Sequence, residues 1–221
     1  MSIEAVLFDW GHTLFDTPGS AEFVVSFAAD AGTSLTHAEA HLLWNDARMR
    51  SRRADEIAKG RDKSAALHRG CWMALWADLE RRCPGISEPL YEFETSAAGW
   101  APYVDVEGVL QALADRDVPV VIVSDVAFDL RPILAHYDLD RLIHSYVLSG
   151  EHGTIKPELR LFDIALDAAG VAAAQALMVG DNHLNDGAAI DAGVRTLLLA
   201  PVGHGMPRGL QIVVDLVDAS V

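Results

Sequence analysis

The stretch VLFDWGHTLFDT, residues 6–17, decides the fold of this chain. Its apolar opening runs straight into Asp9, which is the pattern of a buried strand that delivers a carboxylate to the edge of a sheet. Uninterrupted apolar runs, as opposed to alternating ones, predict strands covered on both faces in a parallel sheet. Five such runs occur, at residues 5–9, 118–124, 145–149, 176–181 and 194–200.

Helical patterns alternate with the later runs, at residues 106–117, 157–170 and 186–193, which predicts a doubly wound α/β sheet. More than a hundred residues separate the first two runs, far too many for a simple crossover. That segment has no strand pattern, and it predicts four helical stretches near residues 20–31, 36–58, 62–82 and 87–98.

We therefore expect a Rossmann-like three-layer core with a parallel sheet, formed by residues 1–16 and 99–221. An inserted all-helical cap domain, residues 17–98, would cover the carboxyl edge of the sheet. That edge is where open α/β sheets bind their ligands.

The composition narrows the classes of partner. The formal net charge of −15 disfavours nucleic acid and anionic membrane surfaces as partners. Two cysteines, Cys71 and Cys83, are too few for a disulfide framework or a zinc site. The chain begins without a basic stretch before a long apolar run, and it has no apolar run of membrane-spanning length. We expect a soluble cytoplasmic protein, either a monomer or a homodimer.

Polar side chains with catalytic chemistry follow four of the predicted strands. Asp9, Ser124 and Asp181 each end a strand, Lys156 follows the third strand, and Asp186 lies five residues after Asp181. The carboxyl ends of parallel strands share one edge, so these side chains should converge. Three converging carboxylates repel one another unless a cation such as Mg²⁺ is present. Lysine and serine are groups that hold phosphoryl oxygens.

In this order, with a long helical insertion after the first strand, the motifs resemble those of the haloacid dehalogenase superfamily, over nearly the whole chain. The resemblance implies a Mg²⁺-dependent hydrolase of a small phosphorylated metabolite, in which Asp9 forms an aspartyl-phosphate. Ser124 and Lys156 would hold the phosphoryl group as the other catalytic residues. The implied metal ligands are Asp9, the Gly11 carbonyl, Asp181 and Asp186, the last either directly or through water. The implied substrate-binding set is Trp10, Gly11, Ser124, Asp125, Lys156 and Asn182.

Gly11 departs from the usual motif, which has a second aspartate two residues after the nucleophile. In relatives the main-chain carbonyl at this position binds the metal, and the side chain serves as the general acid and base. Glycine keeps the first role and loses the second, which typically contributes about 10²- to 10⁴-fold. His12 or a cap residue could replace the acid. Because neighbouring residues of an extended segment point opposite ways, we expect His12 to face away. Asp16 is expected to form a turn at the start of the cap linker.

The missing aspartate leaves other functions open. Hydrolytic dehalogenases also lack it, but they carry an aromatic residue there and work without a metal. Phosphonoacetaldehyde hydrolases have alanine after an Asp-Trp pair, similar to DWGHT here, and use a cap lysine as a Schiff base; Lys59 and Lys63 are the lysines available. A phosphate-binding or partner-binding protein without turnover is the third possibility.

Residues 47–63 hold seven of the 17 basic residues, which would attract an anion or form an exposed helix.

Overall fold

A five-stranded parallel sheet, in the order β5-β4-β1-β6-β7, forms the centre of the protein. The computed structural model describes residues 2–203 and 205–220. Each of the five predicted apolar runs forms a strand of this sheet, which confirms the predicted fold class. Leu7, for example, lies opposite Val121 on one neighbouring strand and Met178 on the other. The strands are β1 (Ala5–Phe8), β2 (Phe15–Asp16), β3 (Ala101–Pro102), β4 (Val120–Ser124), β5 (Ser145–Leu148), β6 (Ala176–Gly180) and β7 (Arg195–Leu198).

Helices cover both faces of the sheet. The helices are α1 (Ser20–Asp30), α2 (His37–Ser51), α3 (Ala54–Ile57), α4 (Ala65–Leu75), α5 (Ala77–Arg82), α6 (Ser87–Glu94), α7 (Val106–Ala114), α8 (Arg131–His136), α9 (Ser149–His152), α10 (Leu159–Ala169) and α11 (Gln211–Asp218). Successive side chains of a strand point to opposite faces. Val6 and Phe8 accordingly pack with α7 and α11, whereas Leu7 packs with α10. The core therefore has three layers.

The segment between β2 and β3 contains only helices among its described secondary structure, α1 to α6 with short 3₁₀ turns at 61–63 and 97–99. It has an apolar core of its own, which includes Val24, Trp76 and Leu90. β2 and β3 pair antiparallel, with Phe15 opposite Pro102, so the chain enters and leaves the segment side by side. We call this segment the helical insertion. Its division from the core at residues 17 and 98 stays a prediction.

Several element boundaries differ from those predicted. The stretch predicted as one helix at 36–58 is two helices, α2 and α3. The 62–82 stretch begins as a 3₁₀ turn. The helix α4 begins only at Ala65, because the Ser64 side chain caps it there by accepting a hydrogen bond from the Leu67 N–H. Residues 186–192 form a 3₁₀ helix, while α8, α9, α11 and the β2–β3 ribbon had no predicted counterpart. In the described ranges, no helix combines the length and apolarity needed to cross a membrane.

Candidate active site

Asp9 follows β1 and lies at the carboxyl edge of the sheet with two hydrogen-bond donors on its carboxylate. Lys156 Nζ donates to Asp9 Oδ1 at 2.7 Å, and Thr13 Oγ1 donates to Asp9 Oδ2 at 3.1 Å. Asp9 is only 7% exposed, and Thr13 is fully buried. Burial raises the pKa of Asp9 to about 7, with the Lys156 charge opposing the rise and Asp186 adding to it. Thr13 was not among the predicted residues; its position four residues after Asp9 was the available signal.

Lys156 joins the two buried carboxylates of the site. Its ammonium donates to Asp9 Oδ1, to Asp186 Oδ1 at 2.6 Å and to the Val123 carbonyl at 3.1 Å. Burial disfavours its charge, but the facing carboxylates of Asp186 and Asp9 outweigh burial and raise the pKa of Lys156. The lysine therefore stays protonated at neutral pH and holds both acids in place.

Three acids form an oxygen cluster at this edge. Asp9, Asp181 and Asp186 each offer an oxygen, and these oxygens lie within 4.8 Å of one another. Asp186 reaches the cluster because position 180 is glycine: a Cβ on Gly180 would collide with the Asp186 carboxylate. Oxygen donors of this type are those that Mg²⁺ prefers.

Asp186 and Asp181 differ in burial and in hydrogen bonding. Asp186 is fully buried, and its Oδ2 accepts the N–H groups of Asp181 and Asn182 at 3.0 and 2.9 Å. The side chain of Asp181 is exposed at the edge of the site. Asp181 is therefore the more available ligand for a cation.

Ser124 ends β4 and is 4% exposed. Its neighbour Asp125 uses both carboxylate oxygens to connect loops: Oδ1 accepts the Lys156 N–H at 2.8 Å, and Oδ2 accepts Asn185 Nδ2 at 3.1 Å. The Oδ1 of Asn182 accepts the N–H groups of Leu184 and Asn185. The side chains of Asp125 and Asn182 thus organise the loops around Lys156 and Asp186, and their contact with substrate stays a prediction.

The role of Trp10 in substrate binding stays a prediction, and its side chain is buried. It is 2% exposed and packs in the apolar core, with its ring centroid 3.9 Å from that of Trp100. Only the main chain of Trp10 can face a substrate. The Trp10 carbonyl already accepts the N–H groups of Leu14 and Phe15, at 2.9 and 3.0 Å. These bonds close the turn that carries Gly11 and His12.

Gly11 lies beside the Trp100 ring. A Cβ built on Gly11 would lie 3.6 Å from Trp100 Cη2 and 3.7 Å from Cζ3, which are ordinary van der Waals distances. Neither the backbone conformation nor the local packing therefore requires glycine at this position. Among the described residues, no donor forms a hydrogen bond with the Gly11 carbonyl.

His12 bridges the catalytic loop and the helical insertion. Its Nε2 lies 2.6 Å from Arg48 Nη2, and its Nδ1 lies 3.4 Å from Asp16 Oδ1. Since a guanidinium only donates, Nε2 accepts from Arg48, and Nδ1 faces the Asp16 carboxylate. Among the described residues, the His12 ring contacts Arg48 and Asp16 and forms no hydrogen bond with Asp9. Asp16 also accepts the Thr17 N–H at 2.8 Å, as a turn residue does.

The two lysines of the insertion are engaged elsewhere. Lys59 pairs with Glu56 at 2.5 Å, and Lys63 pairs with Glu158 of the core at 2.6 Å. Both side chains are at least one-third exposed. Neither amine is placed at Asp9, where a Schiff base would have to form.

Comparison with known proteins supports the resemblance to the haloacid dehalogenase superfamily. The chain is 28% identical over 117 residues to haloacid dehalogenase-like hydrolase domain-containing protein 3 of Xenopus laevis. That match covers 52% of this chain and 48% of the relative, about half of its length. A HAD phosphatase from Thermococcus onnurineus has a similar structure (TM-score 0.65, 20% identity, covering 96% of this chain and 97% of that one). So does an L-2-haloacid dehalogenase from Xanthobacter autotrophicus (TM-score 0.69, 20% identity, covering 91% and 79%).

These two structural likenesses, at 20% identity, show the shared fold and leave the reaction open. The family assignment comes from the sequence itself: residues 3–193 match the model of the haloacid dehalogenase-like hydrolases. The chain belongs to the haloacid dehalogenase-like hydrolase family.

Proposed function

We propose that this protein is a Mg²⁺-dependent phosphatase of a small phosphorylated metabolite. The observation that carries the proposal is the ammonium of Lys156 between the carboxylates of Asp9 and Asp186, beside the exposed carboxylate of Asp181. This arrangement combines a nucleophile, a buried cation and an oxygen cluster at one edge of the sheet. Phosphoryl transfer is catalysed mainly by positioning and by charge stabilisation, which these groups would supply.

The donor set fits a magnesium ion. Asp9, Asp181 and the Gly11 carbonyl would hold it. Asp186 would act through water, because its oxygens already accept bonds from Lys156 and two main-chain N–H groups. A bound ion would neutralise charge between the nucleophile and the phosphoryl oxygens.

The residues of the chain then perform two displacements. Thr13 and Lys156 orient the Asp9 carboxylate, one oxygen of which attacks phosphorus while the bond to the leaving oxygen breaks. Lys156 and the Ser124 hydroxyl hold the transferring phosphoryl oxygens. Water then attacks the phosphorus of the aspartyl-phosphate, which releases phosphate and restores the carboxylate.

Gly11 sets the limits of this reaction, because it offers no group to protonate the leaving oxygen. A substrate whose leaving group carries negative charge well needs no proton and should react fastest. A sugar or alkyl phosphate should react slowly unless another residue donates.

Arg48 supports an anionic substrate. This half-buried guanidinium of α2 stacks over the Trp44 ring at 4.7 Å and contacts His12 of the catalytic loop. Among the described residues, no carboxylate lies within ion-pair distance of it, although the charges of Glu94, Asp16 and Asp181 act on it from farther away. Arg48 thus links the basic stretch 47–63 to the catalytic loop by a hydrogen bond. A second anionic group of the substrate could bind there.

Hydrolysis of 2-haloacids is the second candidate. Gly11 favours it, because a halide leaves without a proton; the acidic cluster weighs against it, because the dehalogenase reaction needs no metal. Phosphonate hydrolysis has weaker support, since Lys59 and Lys63 are both ion-paired.

A panel of phosphorylated metabolites with Mg²⁺, run beside phosphonoacetaldehyde and 2-haloacids, separates these functions. The proposal expects phosphate release that depends on Mg²⁺ and disappears in Asp9→Asn. Turnover only on 2-haloacids, or equal turnover in Asp9→Asn, would refute it. Binding of phosphate and Mg²⁺ without any turnover would identify a non-catalytic binding protein.

A further inference from the structure

Arg208 is a buried cation that takes no part in the proposed reaction. Its side chain is 3% exposed; its guanidinium donates to main-chain carbonyls and lies over the Tyr103 ring, 5.7 Å from the ring centroid. Nε donates to the His12 carbonyl at 2.8 Å, Nη2 to the Leu199 carbonyl at 3.3 Å, and Nη1 to the Ala200 carbonyl. Across the described ranges no carboxylate forms an ion pair with this guanidinium. Burying a charge without an opposite charge is costly, so a neutral side chain would be the simpler filler.

The His12 end of this contact belongs to the catalytic loop. His12 has a φ of 60°, a left-handed conformation that strains a residue with a Cβ. Two bonds hold it there: its N–H donates to the Phe15 carbonyl at 2.6 Å, and its carbonyl accepts Arg208 Nε. The position of the adjacent Gly11 carbonyl depends on this turn.

The other end of the contact follows β7, which pairs with the strand that precedes Asp181. The N–H of Leu199 donates to the Gly180 carbonyl at 2.9 Å, and Gly180 directly precedes Asp181. Arg208 therefore spans from the loop after β1 to the chain after β7, and the β7 side is bonded to the end of β6. Asp9 and Gly11 lie on one side of this bridge, and Asp181 lies on the other.

We infer that Arg208 is a positioning residue that fixes the Asp9–Gly11 loop against the Asp181 strand end, and so sets the geometry of the cation site. This inference rests on the proposed function for its consequence in catalysis. The planar guanidinium suits the task because its donors form a rigid fork that can reach several carbonyls at once. The segment is itself held in place, since the Asp105 carboxylate accepts the N–H groups of Arg208, Gly209 and Leu210.

The test compares Arg208→Met and Arg208→Lys with the control Arg116→Met in the full chain. Arg116 anchors the C-terminal helix α11 through Asp218 at 2.7 Å but does not contact the catalytic loop. Two quantities are measured: the dissociation constant of Mg²⁺ by calorimetry, and hydrogen exchange of the amides of residues 12–15 without Mg²⁺. Loss of a residue that orients metal ligands weakens metal binding by about 10- to 100-fold.

We expect that loss in Arg208→Met, a smaller one in Arg208→Lys, and faster exchange at His12 in both. Arg116→Met should change neither quantity. Unchanged Mg²⁺ affinity together with unchanged exchange in Arg208→Met, or an equal loss in Arg116→Met, would overturn the inference. If Arg208→Met fails to fold, Arg208→Lys decides by the same two measurements. If the wild type binds no Mg²⁺, the proposed function fails, and exchange at residues 12–15 alone decides whether Arg208 positions the loop.

Discussion

At the scale of single residues, Gly11 offers the sharpest test of the chemistry. A Cβ at this position meets the Trp100 ring at ordinary contact distance, so the fold should accept a side chain there. We expect Gly11→Asp to raise the turnover of an alkyl phosphate by up to about 10²-fold, because it restores a proton donor. Steady-state kinetics on an alkyl phosphate and on p-nitrophenyl phosphate measure the effect.

The matched control is Gly11→Asn, which has nearly the same shape but no acidic proton. It should leave the ratio of the two rates at the wild-type value. An increase in Gly11→Asn equal to that in Gly11→Asp would mean that side-chain volume, and not proton donation, is responsible. An efficient wild-type rate on alkyl phosphates would mean that another residue already donates.

Arg48 leads to a prediction about substrate recognition. If its guanidinium binds a second anionic group, Arg48→Met should raise the KM of substrates that carry such a group by about tenfold or more, with little change in kcat. The KM of p-nitrophenyl phosphate, which has no second anion, should change much less. An equal change in KM for both kinds of substrate would contradict the prediction. It would mean that Arg48 acts by positioning His12.

Residues at strand ends were predictable from sequence, and residues that act through distant contacts were not. Asp9 and Asp181 directly follow strands and Ser124 ends one, so the parallel sheet brings them to one edge. Arg208 contacts His12 across a separation of 196 residues, and nothing near Arg208 in the sequence indicates it. The place of Trp10 next to Asp9 likewise does not reveal that its side chain turns into the core.

At the scale of secondary-structure elements, α4 carries a buried histidine that links stability to pH. The Nε2 atom of His68 accepts Trp72 Nε1 at 3.0 Å, and its Nδ1 lies 2.9 Å from the Tyr91 hydroxyl. Burial lowers the pKa of His68 from 6.5 to about 4. Above pH 6.5 the ring is neutral in both folded and unfolded states. Between pH 6.5 and 4 only the unfolded state binds the proton, so stability falls as the pH falls.

The full loss attributable to His68 is up to about 3 kcal/mol. Denaturant unfolding of the wild type and His68→Asn from pH 8 to pH 4 measures it. The variant should be less stable at pH 8, because the contacts of the ring are lost. Its stability should decline less between pH 6.5 and 4. Parallel curves for the two proteins would show that His68 is not the group responsible.

The boundaries of elements were less predictable than their existence. Ser64 starts α4 by a local hydrogen bond, a feature that apolar periodicity does not detect. The β2–β3 ribbon has only two residues in each strand, too short to show any pattern, yet it brings together the two chain crossings of the helical insertion.

At the scale of the whole molecule, the order of the motifs along the chain predicted the core, because each strand carries its polar residue to the same edge. The role of the helical insertion depends on contacts that cross to the core. Ser149 Oγ donates to the Asp62 carbonyl at 2.6 Å, and Lys63 pairs with Glu158. These partners are far apart in sequence and are of residue types common throughout the chain, so sequence patterns could not pair them.

The last prediction concerns Mg²⁺, pH and the stability of the entire fold. Burial raises the pKa of Asp9 from 3.8 to about 7, so without a cation this group favours the folded state at low pH. Its contribution declines as the pH rises from 3.8 to 7, because the unfolded carboxyl loses its proton first. Mg²⁺ binds the deprotonated carboxylate and must displace that proton. Affinity should therefore fall by up to about tenfold per pH unit below pH 7, and a proton should be released on binding.

Calorimetric titration in two buffers of different ionisation enthalpy measures that proton directly. Thermal unfolding gives the stability: Mg²⁺ at about 100 times its dissociation constant should add about 2.7 kcal/mol. At one fixed Mg²⁺ concentration, the gain should be larger at pH 8 than at pH 6, and it should vanish in Asp181→Ala. Because Asp181 is exposed while Asp9 and Asp186 are buried, removing it takes away a ligand and leaves the Lys156 contacts intact. A Mg²⁺ effect that persists in Asp181→Ala, or that grows toward low pH, would place the cation elsewhere on this acidic protein.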